Sequence, residues 1–286
     1  MSPEPLGILA GGGHVPLQVA RTARVAGRPV HVVALEGWAD QDWAGFPVLR
    51  ERAGAAGRIL GHLRGQGVRQ LVLTGRAQRP SFLSLRPDAT GARLLARIGR
   101  AFFAGDDGLL RAVARVLEEE GFEILPAQAV LRDILPAAGL LTRTAPDAAA
   151  CADIARGIAV LRALGAVDLG QGALIQQGLV LGVEAIEGTD ALLARCAGLK
   201  REGPAGRRDG VLVKLVKPGQ DRRLDLPTVG PETIRGAAAA GLAGIAIEAG
   251  GTILVDRAGT LAAAEAAGLF VIAIDPERFT TTERTP

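Results

Sequence analysis

Leu6-Gly7-Ile8-Leu9-Ala10-Gly11-Gly12-Gly13-His14-Val15-Pro16 decides the fold class of this chain. The first five residues read as a short buried strand, and the three glycines after them read as a turn. Pro16 opens a helical pattern that runs to Ala26, at a position where its missing N–H costs nothing. Val30–Leu35 is a second apolar run, Ala53–Arg64 has helical spacing, and Gln70–Thr74 is a third strand ending at Gly75. Helical patterns follow at Gly91–Phe103 and Asp107–Glu120, and Phe122–Leu125 reads as another strand. Strands that are apolar almost throughout, alternating with helices, predict a Rossmann-like parallel sheet covered on both faces.

Pro136, Gly139, Thr142, Thr144 and Pro146 interrupt the periodic pattern. They divide the chain into an α/β domain over 1–135, a linker over 136–147 and a second domain over 148–286. In the second domain Ala148–Leu164, Asp190–Cys196, Pro231–Ala240 and Leu261–Ala267 read as helices. Ala173–Gln177 and Val180–Ala185 read as a hairpin about Gly178, and Val211–Val216, Gly244–Ile247, Thr252–Val255 and Phe270–Ile274 as strands. The order is mixed, so this half is expected to be a mixed α/β domain. Gly203–Gly210 reads as an exposed polar loop.

The 286 residues are 48% hydrophobic but only 3% aromatic, with no tyrosine. Ala, Leu, Val and Ile must build the core. A net charge of +3, spread along the chain, with few rings to stack on bases, excludes a nucleic-acid binder. Cys151 and Cys196 lack metal-ligand spacing and read as idle thiols in a reducing compartment. The N-terminus has neither the basic region nor the apolar length of a signal peptide, and no run approaches the ~20 residues of a membrane span. A cytoplasmic protein is expected.

Several stretches carry chemistry. The Gly11–Gly13 turn is either a backbone cradle for an anion or simply tight. It misses the dinucleotide fingerprint in its third glycine spacing, and Glu36 is the nearest acid after the second strand. His14 reads as a rim or structural residue. Thr74-Gly75 ends a central strand, where open parallel sheets bind ligands. Asp106 or Asp107 caps the following helix, or Asp107 holds a metal or a ribose. Thr189 and Asp190 open a short helix beside Gly188, as cap or as phosphate cradle.

The densest stretch is Lys214-Leu-Val-Lys217-Pro-Gly-Gln220-Asp221-Arg-Arg223-Leu-Asp225-Leu-Pro227. Two of the chain's three lysines lie in it. Strand alternation places Lys214 with Leu212 on one face and Lys217 on the other, so the two do not serve one point. An ammonium inside an apolar run is costly unless it has a partner, which makes Lys214 the better phosphate contact. Asp225, between Leu224 and Leu226, pairs with an arginine, binds a metal or acts as a base.

Gly-Gln171-Gly, Glu184-Ala-Ile-Glu187-Gly-Thr189-Asp190, and the run from Val213 through Asp225-Leu-Pro227-Thr-Val-Gly230 resemble the alternative UDP-2,3-diacylglucosamine pyrophosphatases of bacterial lipid A synthesis. The N-terminal Gly-Ile-Leu-Ala-Gly-Gly-Gly and the Gly105-Asp106-Asp107 segment resemble that family too. The resemblance spans essentially the whole chain, with only the Gly206–Gly210 loop locally variable. It implies hydrolysis of UDP-2,3-diacylglucosamine to 2,3-diacylglucosamine 1-phosphate (lipid X) and UMP, with attack on the β-phosphorus. It implies a divalent cation, usually Mg2+. This family is distinct from the metallophosphoesterase type, and His14, His31 and His62 form no di-metal pattern.

Carried onto this sequence, the resemblance implies Asp225 as metal ligand or base, Lys214 on a phosphate oxygen, and Asp221 as a second metal ligand. Gln171, Thr189, Lys217, Gln220, Gly11, Gly12, Thr74, Gly75 and Asp107 are the expected substrate contacts. A lipid substrate implies peripheral contact with the cytoplasmic face of the inner membrane, and the family admits a homo-oligomer. The competing readings are a non-catalytic sugar-nucleotide or lipid-binding protein and, from the first half alone, a nicotinamide-dependent oxidoreductase.

Overall fold

A computed structural model describes residues 3–77, 85–99, 101, 106–131, 133–199 and 208–279. Two compact units emerge: Met1–Arg132 with Asp221–Asp225, and Asp133–Gln220 with Leu226–Pro286. The short stretch 221–225 thus belongs to the first unit although the chain on both sides of it belongs to the second.

The first unit contains β1 (Leu6–Ala10), α1 (Val15–Val25), β2 (Val30–Leu35), β3 (Val48–Glu51), α2 (Ala56–Gly65) and β4 (Gln70–Thr74). It continues with α3 (Ala89–Ile98), α4 (Asp106–Glu119), β5 (Glu123–Ile124) and α5 (Ala127–Val130). All five strands are parallel, in the order β3-β2-β1-β4-β5. The order reverses between β1 and β4, the place where such sheets open toward ligands. Leu6, Ile8, Val32, Val33, Leu71 and Val72 are fully buried in the strands. Ile59, Leu60 and Leu63 of α2, Leu94 of α3 and Val116 and Leu117 of α4 cover one face. Leu224 of the inserted stretch joins that cluster. The helical pattern expected as far as Phe103 runs partly outside the described residues, as does most of the Gly203–Gly210 loop.

The second unit contains β6 (Gly139–Leu140), α6 (Ala148–Gly165), β7 (Gly172–Gln176), β8 (Leu179–Val183), α7 (Gly188–Ala197), β9 (Val211–Lys214) and β10 (Thr228–Val229). Then come α8 (Pro231–Ala239), β11 (Gly244–Glu248), β12 (Ile253–Leu254), α9 (Arg257–Ala267) and β13 (Phe270–Ile274). Its main sheet runs β6-β13-β11-β9-β7-β8, with β13, β11 and β9 parallel and the outer pairings antiparallel. The fold is therefore the expected pair: a parallel α/β unit and a mixed one. β6 falls within the stretch read as linker and pairs with β13.

Each face of the mixed sheet has its own helices. Leu174, Leu212, Ile245 and Val271 meet Leu192, Leu193 and Cys196 of α7 and Ile234 of α8. Ala173, Ile175, Val211 and Val213 meet Ile154, Ile158 and Leu161 of α6 on the other side. Gly157 of α6 lies so close to Val213 that an added Cβ would come within 2.5 Å of it. Gln177 and Gly178, at φ 52° and 76°, make the two-residue turn that a twisted hairpin favours. The carboxylate of Asp153, buried in α6, accepts the turn's N–H groups from Gln177 at 3.0 Å and Gly178 at 2.7 Å. Desolvation is the main cause that raises the Asp153 pKa above the usual carboxylate range, against those two hydrogen bonds.

Candidate functional site

Three places hold the residues that the sequence singles out. The first is the carboxyl end of β1 and β4, where Ala10 lies opposite Thr74. The strands are neighbours, so Gly11, Gly12, Thr74 and Gly75 come together as expected. The N–H groups of Gly11 and Gly12, however, are already used. Gly11 N donates to Thr74 O at 2.9 Å, and Gly12 and Arg76 exchange hydrogen bonds of 2.8 Å. Gly13 N donates to the Asp40 carboxylate at 2.9 Å, and the Gln41 amide donates to Gly11 O and Gly13 O. A carboxylate thus sits on the Gly13 N–H of the turn.

Glycine is required here for close approach. A Cβ on Gly11 would lie 2.4 Å from Arg76 O, and one on Gly75, at φ 97°, would lie 2.7 Å from Gly11 C. His14 takes the N-cap position of α1 without a side-chain cap bond. Asp107, in contrast, is not a helix cap. Asp106 is already helical, so Asp107 lies inside α4, buried, with its carbonyl accepting from Arg111 Nε at 3.3 Å.

The second place is the carboxyl end of β9. Lys214 closes the strand, opposite Gly172 of β7 and Ile247 of β11. The strand stops there, short of the expected Val216, because Val216 N turns away to Glu248 Oε2 at 2.9 Å. Lys214 shares the face of Leu212 and so points toward α7. It is only 4% exposed, and its Nζ donates to Thr189 Oγ1 at 2.6 Å and to Thr228 O at 3.3 Å. Thr189 Oγ1 in turn donates to Glu184 Oε1 at 2.9 Å. Glu184 Oε2 stands 4.0 Å from the ammonium and is buried with no hydrogen-bond partner among the described residues.

Thr189 therefore does not cap α7. The N-cap is Glu187, with no side-chain cap bond, and the threonine hydroxyl is spent between a lysine and a carboxylate. Gln171 precedes β7, its carbonyl accepting from Leu215 N at 3.0 Å. The local weave is tight: Glu184 N donates to Gly172 O at 2.8 Å. A Cβ on Gly170 would strike Glu184 O at 1.9 Å.

Lys217 goes elsewhere, as expected, but for another reason: it lies beyond the end of β9 at Lys214, so strand alternation does not set its direction. Its ammonium pairs with Asp168, which adopts a left-handed φ of 58°, and its backbone N donates to Gln220 Oε1 at 3.0 Å. Glu184, Glu248, Asp168 and Thr228 are the polar residues here that sequence reading did not put on the site. Glu184 left one trace, a carboxylate ending an apolar strand five residues before Thr189.

The third place is the stretch Asp221–Asp225, held on the first unit. Both Asp221 oxygens accept from Arg223, at 2.8 Å from Nη2 and 3.1 Å from Nε, and Arg223 Nη1 reaches Glu118 Oε1 of α4 at 2.7 Å. Arg222 O accepts from Gln128 Nε2 at 3.1 Å. The hydrogen bond from Arg223, the largest cause, holds the Asp221 carboxyl below its usual pKa, and Arg111 adds to the effect. The same pairing pushes the Arg223 guanidinium pKa further up. Asp225 is exposed, and its N donates to Asp221 O at 3.5 Å, closing a turn.

Among the described residues no group of three or more His, Cys, Asp or Glu side chains is arranged to hold a metal ion. Mg2+ needs less, because it commonly takes one or two carboxylates and completes its shell with water and phosphate oxygens. Asp225 and Asp221 are the carboxylates of this stretch that could meet that requirement, Asp221 by exchanging its contact with Arg223. Among the described residues, no helix is long and apolar enough to cross a membrane.

Comparison with known proteins covers both units. Residues 5–134 match the family model for the LpxI N-terminal domain, and residues 137–272 match that for the LpxI C-terminal domain. The chain is similar to the UDP-2,3-diacylglucosamine pyrophosphatase LpxI of Caulobacter vibrioides, with 44% identity over 274 residues, 95% of this chain and 98% of that protein. Among solved structures, the Bordetella bronchiseptica enzyme WbmG, in complex with NAD and UDP, aligns over 92% of this chain and 94% of its own at 12% identity. Its TM-score of 0.28 is too low to carry an argument.

Proposed function

Because this chain belongs to the LpxI family, we propose that it hydrolyses the pyrophosphate bond of UDP-2,3-diacylglucosamine in lipid A biosynthesis, releasing UMP and 2,3-diacylglucosamine 1-phosphate. The observation that carries this reading is the match to a pyrophosphatase of that substrate across 95% of the chain. The chemistry of the β9 terminus agrees with it. A buried ammonium that has spent two of its three donors on Thr189 and Thr228 keeps one for a phosphate oxygen. Such a contact stabilises the negative charge of the phosphates in a water-poor site.

Asp225 is the catalytic carboxylate of this proposal, as ligand of Mg2+ or another divalent cation or as the base that orients water. A bound divalent cation would neutralise phosphate charge next to the nucleophile. Asp221 is the second carboxylate available to it. On the second unit the candidate substrate contacts are Gln171, Thr189, Lys217 and Gln220. On the first, taken by itself, they are Gly11, Gly12, Thr74, Gly75 and Asp107. Water attacks the β-phosphorus, so its oxygen leaves in the sugar 1-phosphate. The lipid substrate brings the protein into peripheral contact with a membrane surface.

The deciding assay follows UMP release from UDP-2,3-diacylglucosamine with and without Mg2+, run in 18O-water. Label in the glucosamine 1-phosphate is expected. Label in UMP would move the attack to the other phosphorus, and tight binding without UMP release would favour a non-catalytic binding protein.

A further inference from the structure

We infer that Glu184 is a positioning residue that holds Lys214 in place through Thr189. This inference rests on the assignment of Lys214 to a substrate phosphate. A threonine hydroxyl carries one proton, and the Thr189 proton goes to Glu184 Oε1. Thr189 can therefore meet Lys214 only as an acceptor, and the 2.6 Å contact is a lysine N–H pointing at its oxygen. The result is a directed chain from ammonium to hydroxyl to carboxylate, in which each bond strengthens the next.

Three further observations support it. Glu184 Oε2 is buried without a hydrogen-bond partner among the described residues, and the Lys214 ammonium stands 4.0 Å away. The side chains of Lys214 and Glu184 are 5% and 13% exposed, so both charges are largely shielded from bulk water. The backbone also makes room for this carboxylate: a Cβ at Gly172 would stand 2.7 Å from Glu184 Oε2. Glycine there keeps open the space that the carboxylate fills. With Thr189 and Thr228 fixing two of its donors, the lysine has one N–H left, aimed by the protein rather than by the ligand.

The restraint can be read without substrate. The chain has only three lysines, Lys200, Lys214 and Lys217, so 15N-lysine labelling of the full-length protein gives three ammonium signals, and Lys214→Met assigns its own by loss. The Lys214 protons are expected to exchange slowly with solvent. Glu184→Gln, Thr189→Val and Gly172→Ala should each speed that exchange about tenfold or more, the equivalent of one charge-assisted hydrogen bond. Thr189→Ser, which restores the hydroxyl, should stay within about twofold of the parent.

In turnover, Glu184→Gln should lower kcat about tenfold with little change in KM, and should cost nothing more in a Lys214→Met background. Unchanged Lys214 exchange in Glu184→Gln would overturn the inference, and so would a full additional loss in the double variant. A parent protein that releases no UMP would instead defeat the substrate assignment, and the exchange experiment would still decide whether Glu184 holds Lys214.

Discussion

Both units end parallel strands in loops that the sequence marks as ligand-binding, yet they close those ends in opposite ways. At β1 and β4 mostly backbone meets backbone, Gly11 with Thr74 and Gly12 with Arg76, with the Asp40 carboxylate taking Gly13 N. At β9 the strand ends on a charge, and side chains satisfy it: Lys214 with Thr189 and Thr189 with Glu184. Glycines are needed in both, but they mean different things. Gly11 and Gly75 are small because two loops touch, whereas Gly172 is small because a carboxylate fills the space beside it. A buried ammonium is the stronger functional signal, since folding alone gives little reason to retain it.

The largest test of this contrast concerns the stretch outside both strand ends. Asp225→Ala should reduce UMP release by about a thousandfold, the scale of losing a positioned acid–base or metal-binding carboxylate, in a protein that still folds. Full activity in that variant would transfer the chemistry to the β9 terminus alone. Next, Lys214→Met should cut kcat about a hundredfold and also destabilise the fold by about 3 kcal/mol, because Glu184 is left as an uncompensated buried charge. Urea unfolding separates the two effects, and a variant as stable as the parent would mean that Glu184 does not depend on the lysine.

Gly75→Ala probes the other side. Its φ of 97° and the close Gly11 backbone predict a loss of about 2 kcal/mol in stability. Calorimetry with UMP would break the contrast if the melt held and nucleotide affinity collapsed. The smallest effect is electrostatic. Asp221 has its folded pKa depressed by Arg223, so its contribution is present at neutral pH and lost as pH falls through the folded value. Asp221→Asn should cost less than about 1 kcal/mol at pH 7, since the pair is partly exposed. The difference should shrink in unfolding curves taken at progressively more acid pH, as the folded carboxylate is protonated.

Sequence periodicity located most elements because buried strands and amphipathic helices carry their own signal. β3, β6 and β10 escaped it. Val48–Glu51 is four residues, Gly139–Leu140 and Thr228–Val229 are two each, and pairing partners far along the chain decide them. Strand parity placed Lys214 on the face of Leu212 because side-chain alternation is local physics, but the separation of Lys217 comes from the strand ending at Lys214. The link from Glu184 to Lys214 was out of reach for the opposite reason. It joins the end of β8 to the end of β9 across β7, and no spacing rule reports it.

The placement of Asp221–Asp225 has a practical consequence for dissecting the molecule. The chain passes between units after Arg132, after Gln220 and after Asp225. A fragment ending at Arg132 would lack Leu224, which packs on the first unit's core, and Arg223, which grips Glu118. Cutting the gene at the boundary between the two matched domains would thus yield an N-terminal piece without part of its own surface, and a C-terminal piece carrying a five-residue strip that belongs to its neighbour.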